Sequence, residues 1–138
     1  MMNSTLPSLV RLHKALAHPA RLRILAMLRN GELCVCQITA VLGLAPSTVS
    51  AHLKELRNAG LTVERKEGKW VKIGLARSES VSAVPGPTLD RLQGDSQVAA
   101  DDRLVAELRD IPVDVLCRSG LETARSRTDT PGRLNHDG

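Results

Sequence analysis

Three cysteines carry the reactive chemistry of this chain: Cys34, Cys36 and Cys117. The first two stand one residue apart in Glu32-Leu33-Cys34-Val35-Cys36-Gln37-Ile38. A thiol at the start of a helix meets the positive end of the helix dipole, which favours thiolate. Thiolates are the ligands that soft metal and metalloid ions take. An odd number of cysteines, two of them this close, makes a poor disulfide framework and a better ligand or reactive set. Positions i and i+2 point to nearly opposite sides of a helix, so both sulfurs reach one ion only if the helix start loosens. Such capture would distort the helix that carries them. Cys117 is the third expected ligand, from the same subunit or a dimer mate. The same residues also allow a redox or persulfide switch, with Cys117 bridging to Cys34 or Cys36 once the α-carbons come within about 7 Å. Taken singly, each could instead be a small apolar core residue.

The elements around them read as short helices followed by a hairpin. Leu6, Leu9, Leu12 and Leu16 have helical spacing over about 7–17, with Pro7 in a first turn. Pro19 opens a second helix with Ile24, Leu25 and Leu28 on its apolar side, closed by Asn30-Gly31. A helix over about 34–42 buries Ile38, Val41 and Leu42, and Gly43 breaks it. Pro46 starts another that runs to about Asn58, with Val49, Leu53 and Leu56 inward. Two short helices around a glycine turn are a helix-turn-helix. Residues 61–66 and 69–75, parted by Glu67-Gly68, read as a β-hairpin, or wing. Ser78–Pro87 reads as a linker, 97–110 as a helix with Val98, Leu104, Val105 and Leu108, and Val113, Val115, Leu116 and Cys117 as a short apolar patch. The fold class expected is mainly α with a small β-hairpin, a winged helix-turn-helix. Residues 1–77 form the DNA-binding and sensor region, 78–125 a linker and dimerisation helix, and 126–138 a disordered tail.

The second helix of the pair presents Ser47, Thr48, Ser50, His52, Lys54 and Arg57 between its core positions. Small hydroxyl residues near the start of such a helix can approach base edges in a major groove, while Lys54 and Arg57 would meet phosphates. Arg65, Lys66 and Lys69 on the wing could grip the flanking backbone or minor groove. Charge agrees. Residues 1–77 hold 12 Lys/Arg against 4 Asp/Glu, and 78–138 hold 7 against 11, so a basic half stands beside an acidic one. A solvated polar face would carry similar residues, but the helix pair, basic wing and charge together point to double-stranded DNA.

With 138 residues, 42% of them hydrophobic, the chain can build one aliphatic core; it has no Phe or Tyr and a single Trp. No secretory signal and no apolar run near the roughly 20 residues of a membrane span is visible, so a cytoplasmic protein without membrane partners is expected. No Ser/His/Asp set, glycine-rich phosphate loop or paired-carboxylate cluster stands out, so no enzyme is expected and no cofactor is required.

These motifs resemble the ArsR/SmtB metal-responsive repressors over about residues 8–76. Glu32-Leu33-Cys34-Val35-Cys36 is similar to the ligand box of the family's arsenite and cadmium/lead sensors. Thr48-Val49-Ser50, His52-Leu53-Lys54 and Leu56 resemble its recognition helix. His18-Pro19-Ala20-Arg21 with Ile24-Leu25 resembles the start of its second helix, and Glu67-Gly68-Lys69-Trp70-Val71 its wing. The resemblance implies a homodimer that represses an operon for metalloid export or detoxification and leaves operator DNA when the inducer binds. The inducer expected is trivalent arsenic or antimony at Cys34, Cys36 and Cys117; cadmium or lead, or a thiol oxidant, are the alternatives. The chain departs from the pattern at Gln37, where the family has an acid, at Thr39, where arsenite sensors often have a third cysteine, and at Ala45-Pro46, commonly Ser-Gln. The family's zinc sensors pair His with acidic residues on the last helix, and His13, His18, His52 and His136 form no such pair.

Overall fold

The computed structural model describes residues 5–77 and 83–118. Helices α1 (Leu6–Leu16) and α2 (Pro19–Leu28) lead into a two-residue strand β1 (Leu33–Cys34), then α3 (Val35–Leu42) and α4 (Pro46–Asn58). The wing follows as β2 (Thr62–Glu67) and β3 (Trp70–Leu75). The chain then adds α5 (Pro85–Arg91), α6 (Ser96–Arg109) and a last short helix α7 over 113–118.

The winged helix-turn-helix expected from the sequence is present. Gly43 closes α3 in the left-handed conformation, φ 67°, and its N–H bonds Thr39 O. The chain turns through Leu44-Ala45, and Pro46 occupies the first position of α4, where a missing N–H costs nothing. Val49, Leu53 and Leu56 are buried as their spacing demands. Gly68, φ 62°, makes the wing turn with Lys69.

Two elements differ from expectation. Strand β1 pairs antiparallel with β3, Leu33 against Ile73 and Cys34 against Lys72, giving a sheet in the order β1-β3-β2. Cys34 therefore ends a strand and caps α3 rather than lying within the helix. The predicted linker 78–87 becomes helical from Pro85, because prolines at the start of α5 leave no intrahelical bond unmade; 78–82 and the expected tail 126–138 lie outside the described residues.

The core is aliphatic: Ile24, Leu25, Met27, Leu33, Ile38, Val41, Val49, Leu56, Leu61 and Ile73 are at most 1% exposed. Helix α6 covers α2 and α3 with Val105 and Leu108, and α7 adds Leu116. One ion pair locks α6 to α2. Arg23 donates from Nε and Nη2 to the two oxygens of Asp101, each at 2.9 Å, and Gln97 adds a third bond at 3.0 Å. Asp101 is 4% exposed, so removing either partner strands a desolvated charge. Asp101→Ala is expected to cost about 3 kcal/mol, read as a lower urea midpoint at unchanged m-value.

Candidate nucleic-acid interface and thiol pair

The predicted DNA-facing residues divide by position. Ser47, Ser50, Lys54 and Arg57 on α4 are exposed, Thr48 is half-buried, and Arg65, Lys66 and Lys69 on the wing are exposed. The Lys69 ammonium lies 5.0 Å from the Trp70 ring centroid, a cation–π contact that steadies the wing tip. Two arginines expected on phosphates carry intramolecular partners: Arg57 pairs with Glu64 at 2.8 Å, and Arg65 with Glu32 at 2.7 Å and Glu67 at 3.0 Å.

His52 is a correction. It stands three residues after Val49 and four before Leu56, which turns it to the inner side of α4, where it is 5% exposed. Its ring lies 4.4 Å, centroid to centroid, from His18, whose Nδ1 caps α2 by accepting from Ala20 N–H at 3.0 Å. Arg21 joins the parts. It donates to the carbonyls of Ala15 at 2.8 Å and Lys14 at 3.1 Å, and its Nη1 meets His52 Nδ1 at 3.2 Å. Because guanidinium only donates, Nδ1 must accept and the ring proton sits on Nε2. That Nε2 is buried with no hydrogen-bond partner among the described residues. So Arg21 ties the end of α1 and the start of α2 to the recognition helix. Its place in His18-Pro19-Ala20-Arg21 was noted in the sequence, but its role was missed, because its partners are carbonyls and a ring 31 residues away.

Burial, with Arg21 beside both rings, holds His18 and His52 below the usual histidine range. The unfolded chain therefore takes up protons first as pH falls through the ordinary value of 6.5. The stability these neutral rings allow is whole above that value and is lost below it.

The cysteines are not gathered as expected. Cys36, in the first turn of α3, is disulfide-bonded to Cys117 on α7, with α-carbons 5.4 Å apart and 81 residues between them in sequence. Cys34 is free and 2% exposed. Among the described residues no three His, Cys, Asp or Glu side chains are grouped to hold a metal ion. The three-sulfur set is thus split into a bonded pair and a lone buried thiol. Cys34 also departs from the thiolate expected at a helix start: burial pushes its thiol up, outweighing Lys72 opposite it on β3, with Glu67 and Glu32 adding to the rise. Gln37, which replaces an acid here, closes the cap by accepting the Cys34 N–H at 2.8 Å.

An exposed helix of a helix-turn-helix beside a basic wing, on an aliphatic core, defines a winged-helix DNA-binding regulator. Residues 18–62 match the family described as bacterial regulatory protein, arsR family. The solved structure of HlyU from Vibrio cholerae superposes with a TM-score of 0.57 at 36% identity, covering 68% of this chain and all of that one. Its reduced form gives 0.54 at 35%, covering 64% and 87%. The chain belongs to the arsR family. It is also 46% identical over 59 residues to the arsenic resistance transcriptional regulator ArsR1 of Pseudomonas putida, 42% of this chain and 46% of that one. With CmtR of Mycobacterium tuberculosis it shares 46% over 77 residues, 56% and 65% of the two lengths. The chain thus spans about half to just under two-thirds of these two curated relatives. No helix among the described residues is long and apolar enough to cross a membrane.

For the histidine cluster, urea unfolding from roughly pH 8 to roughly pH 5 is expected to show stability falling below pH 6.5. The steepest loss is about 1.4 kcal/mol per pH unit for each proton taken up. His52→Gln is expected to flatten that slope by about one proton; an unchanged slope would show that His52 is not among the groups that titrate.

Proposed function

We propose that this chain is a homodimeric transcriptional repressor that holds operator DNA through α4 and the wing and is released when Cys36 and Cys117 change state. One observation carries the reading: the fold brings two cysteines 81 residues apart to an α-carbon distance of 5.4 Å and joins them. Closing that bond removes two protons and two electrons from the dithiol, which pass to a thiol oxidant; a reducing thiol restores the pair. The bond links α3, the scaffold on which α4 is mounted, to α7. A ligand or oxidant can shift the DNA equilibrium only by favouring one of two arrangements of that scaffold. Release on oxidation then means that the bonded arrangement holds α4 in a pose the operator does not accept. Similarity to HlyU, a protein solved also in a form described as reduced, supports the reading. On this reading the DNA is met by the exposed Ser47, Ser50, Lys54, Arg57, Arg65, Lys66 and Lys69 and by the half-buried Thr48.

The homodimer rests on α1, where Leu6 is 76% and Val10 44% exposed. Val10 lines a groove of about 370 Å³ with Leu9, His13, Lys14 and Ala17. Apolar surface of this kind on a small domain favours a second copy.

A second reading is release by trivalent arsenic or antimony, or by cadmium or lead; similarity to regulators named for arsenic resistance favours the first pair. With Cys36 and Cys117 bonded to each other and Cys34 a lone buried thiol, a ready three-sulfur site is not formed among the described residues.

Fluorescence anisotropy on the promoter of the chain's own gene separates the two. The wild type is expected to lose roughly tenfold in affinity on oxidation by diamide. Cys36→Ser and Cys117→Ser are expected to hold DNA in both conditions, and Cys34→Ser to behave as wild type. If the reduced protein ignores diamide but is released by trivalent arsenic, and Cys34→Ser abolishes that release, the second reading replaces the first. Failure to bind DNA under any condition removes both.

A further inference from the structure

Arg65 stands on β2 of the wing, where a guanidinium could reach the DNA backbone, yet two carboxylates already hold it. Glu32 accepts from Nη2 at 2.7 Å and from Nε at 3.2 Å, a two-bond grip, and Glu67 accepts at 3.0 Å. Glu67 also meets Lys72 at 3.5 Å. Glu32 does not belong to the wing. It immediately precedes β1, the strand that ends in Cys34 and launches α3.

To reach Arg65, the Glu32 side chain crosses β3 at Gly74. A β-carbon there would stand 3.3 Å from Glu32 Cγ, so the missing side chain leaves the passage open. The backbone carbonyl of Glu32 accepts from Arg109 Nη2 of α6 at 3.3 Å. The residue is therefore fastened on one side to the C-terminal helices and on the other to the wing. Four positions further along, Cys36 is bonded to Cys117.

We propose that Glu32 is a positioning residue for DNA binding: its carboxylate withholds Arg65 from phosphate while β1 stands where it does here, and the wing gains that contact when the strand shifts. The inference rests on the thiol-controlled repressor reading, since the bonded cysteine pair lies at the other end of the same segment. The clasp is well suited to exchange. Arg65 is 51% and Glu32 40% exposed at the side chain, so water and salt screen the pair and a phosphate can compete for the same donors. Arg65 in turn holds the Glu32 carboxyl below its usual range, so the clasp stays charged at neutral pH.

The test is a double-mutant cycle on salt dependence. Anisotropy titrations on one duplex over a salt series would compare wild type, Glu32→Gln, Arg65→Ala and the double variant, each with reducing thiol and with diamide. Each phosphate contact adds about 0.9 to the slope of log affinity against log salt. Under diamide, Glu32→Gln is expected to steepen the slope by about that amount and the double variant to return it to wild type, while Arg65→Ala alone changes it little. A Glu32→Gln slope equal to wild type overturns the inference. So does a gain that survives Arg65→Ala, because it would come from the lost negative charge and not from a freed guanidinium. A wild type that binds equally with and without diamide overturns the thiol reading instead; the clasp is then read from the same cycle, which needs no oxidant.

Discussion

The pairing of Leu33 and Cys34 with Ile73 and Lys72 sets where everything else can stand. Two residues of strand are a small anchorage, yet they decide where α3 begins. That helix has six of its eight residues buried, so it cannot slide or roll without opening the core. With α3 placed, the left-handed Gly43 and the proline start of α4 leave the recognition helix one course. The wing is the other half of the same sheet. A displacement of β1 is therefore felt at both α4 and the wing, through packing on one side and through ladder hydrogen bonds on the other.

Two guanidinium groups do comparable work at opposite ends of this arrangement. Arg21 collects the last carbonyls of α1 and the ring of His52, and is half-buried. Arg23, two residues on, meets Asp101 in a nearly dry setting. The first orients α4 and the second fixes α6, so one turn of α2 organises both the recognition helix and the helices that lead to Cys117. Arg57 and Arg65 at the surface sit in water, where their partners can be exchanged. Burial sorts the arginines into fixed and movable parts.

Much of this was legible in the sequence, because it depends on local periodicity. The apolar spacing of α1 to α4, the glycine breaks and the alternating hairpin report elements whose partners lie a few residues away. Of the three cysteines singled out in the sequence, the fold joins Cys36 to Cys117 and leaves Cys34 free and buried, an arrangement the sequence did not show. Which cysteine meets Cys117 depends on how α7 packs against α3, and nothing near either residue encodes that. Strand β1 was invisible because two residues show no alternation. His52 was misplaced because a polar residue at a core-spaced position reads as exposed until its partner, Arg21, is known. The helix-dipole expectation for Cys34 failed because burial, a tertiary property, outweighs a terminal partial charge.

The bond from Cys36 to Cys117 also turns most of the protein into a covalent ring. The recognition helix, the wing, α5 and α6 all hang inside it. A ring of this size restricts the unfolded chain by about 4 kcal/mol of lost entropy. On the proposed reading, the oxidation that takes the regulator off its operator also makes it harder to unfold and so to degrade. Reduced, DNA-bound molecules would turn over faster than oxidised ones. A past oxidising episode would then persist as a standing pool of locked protein, long after the promoter itself had been reset.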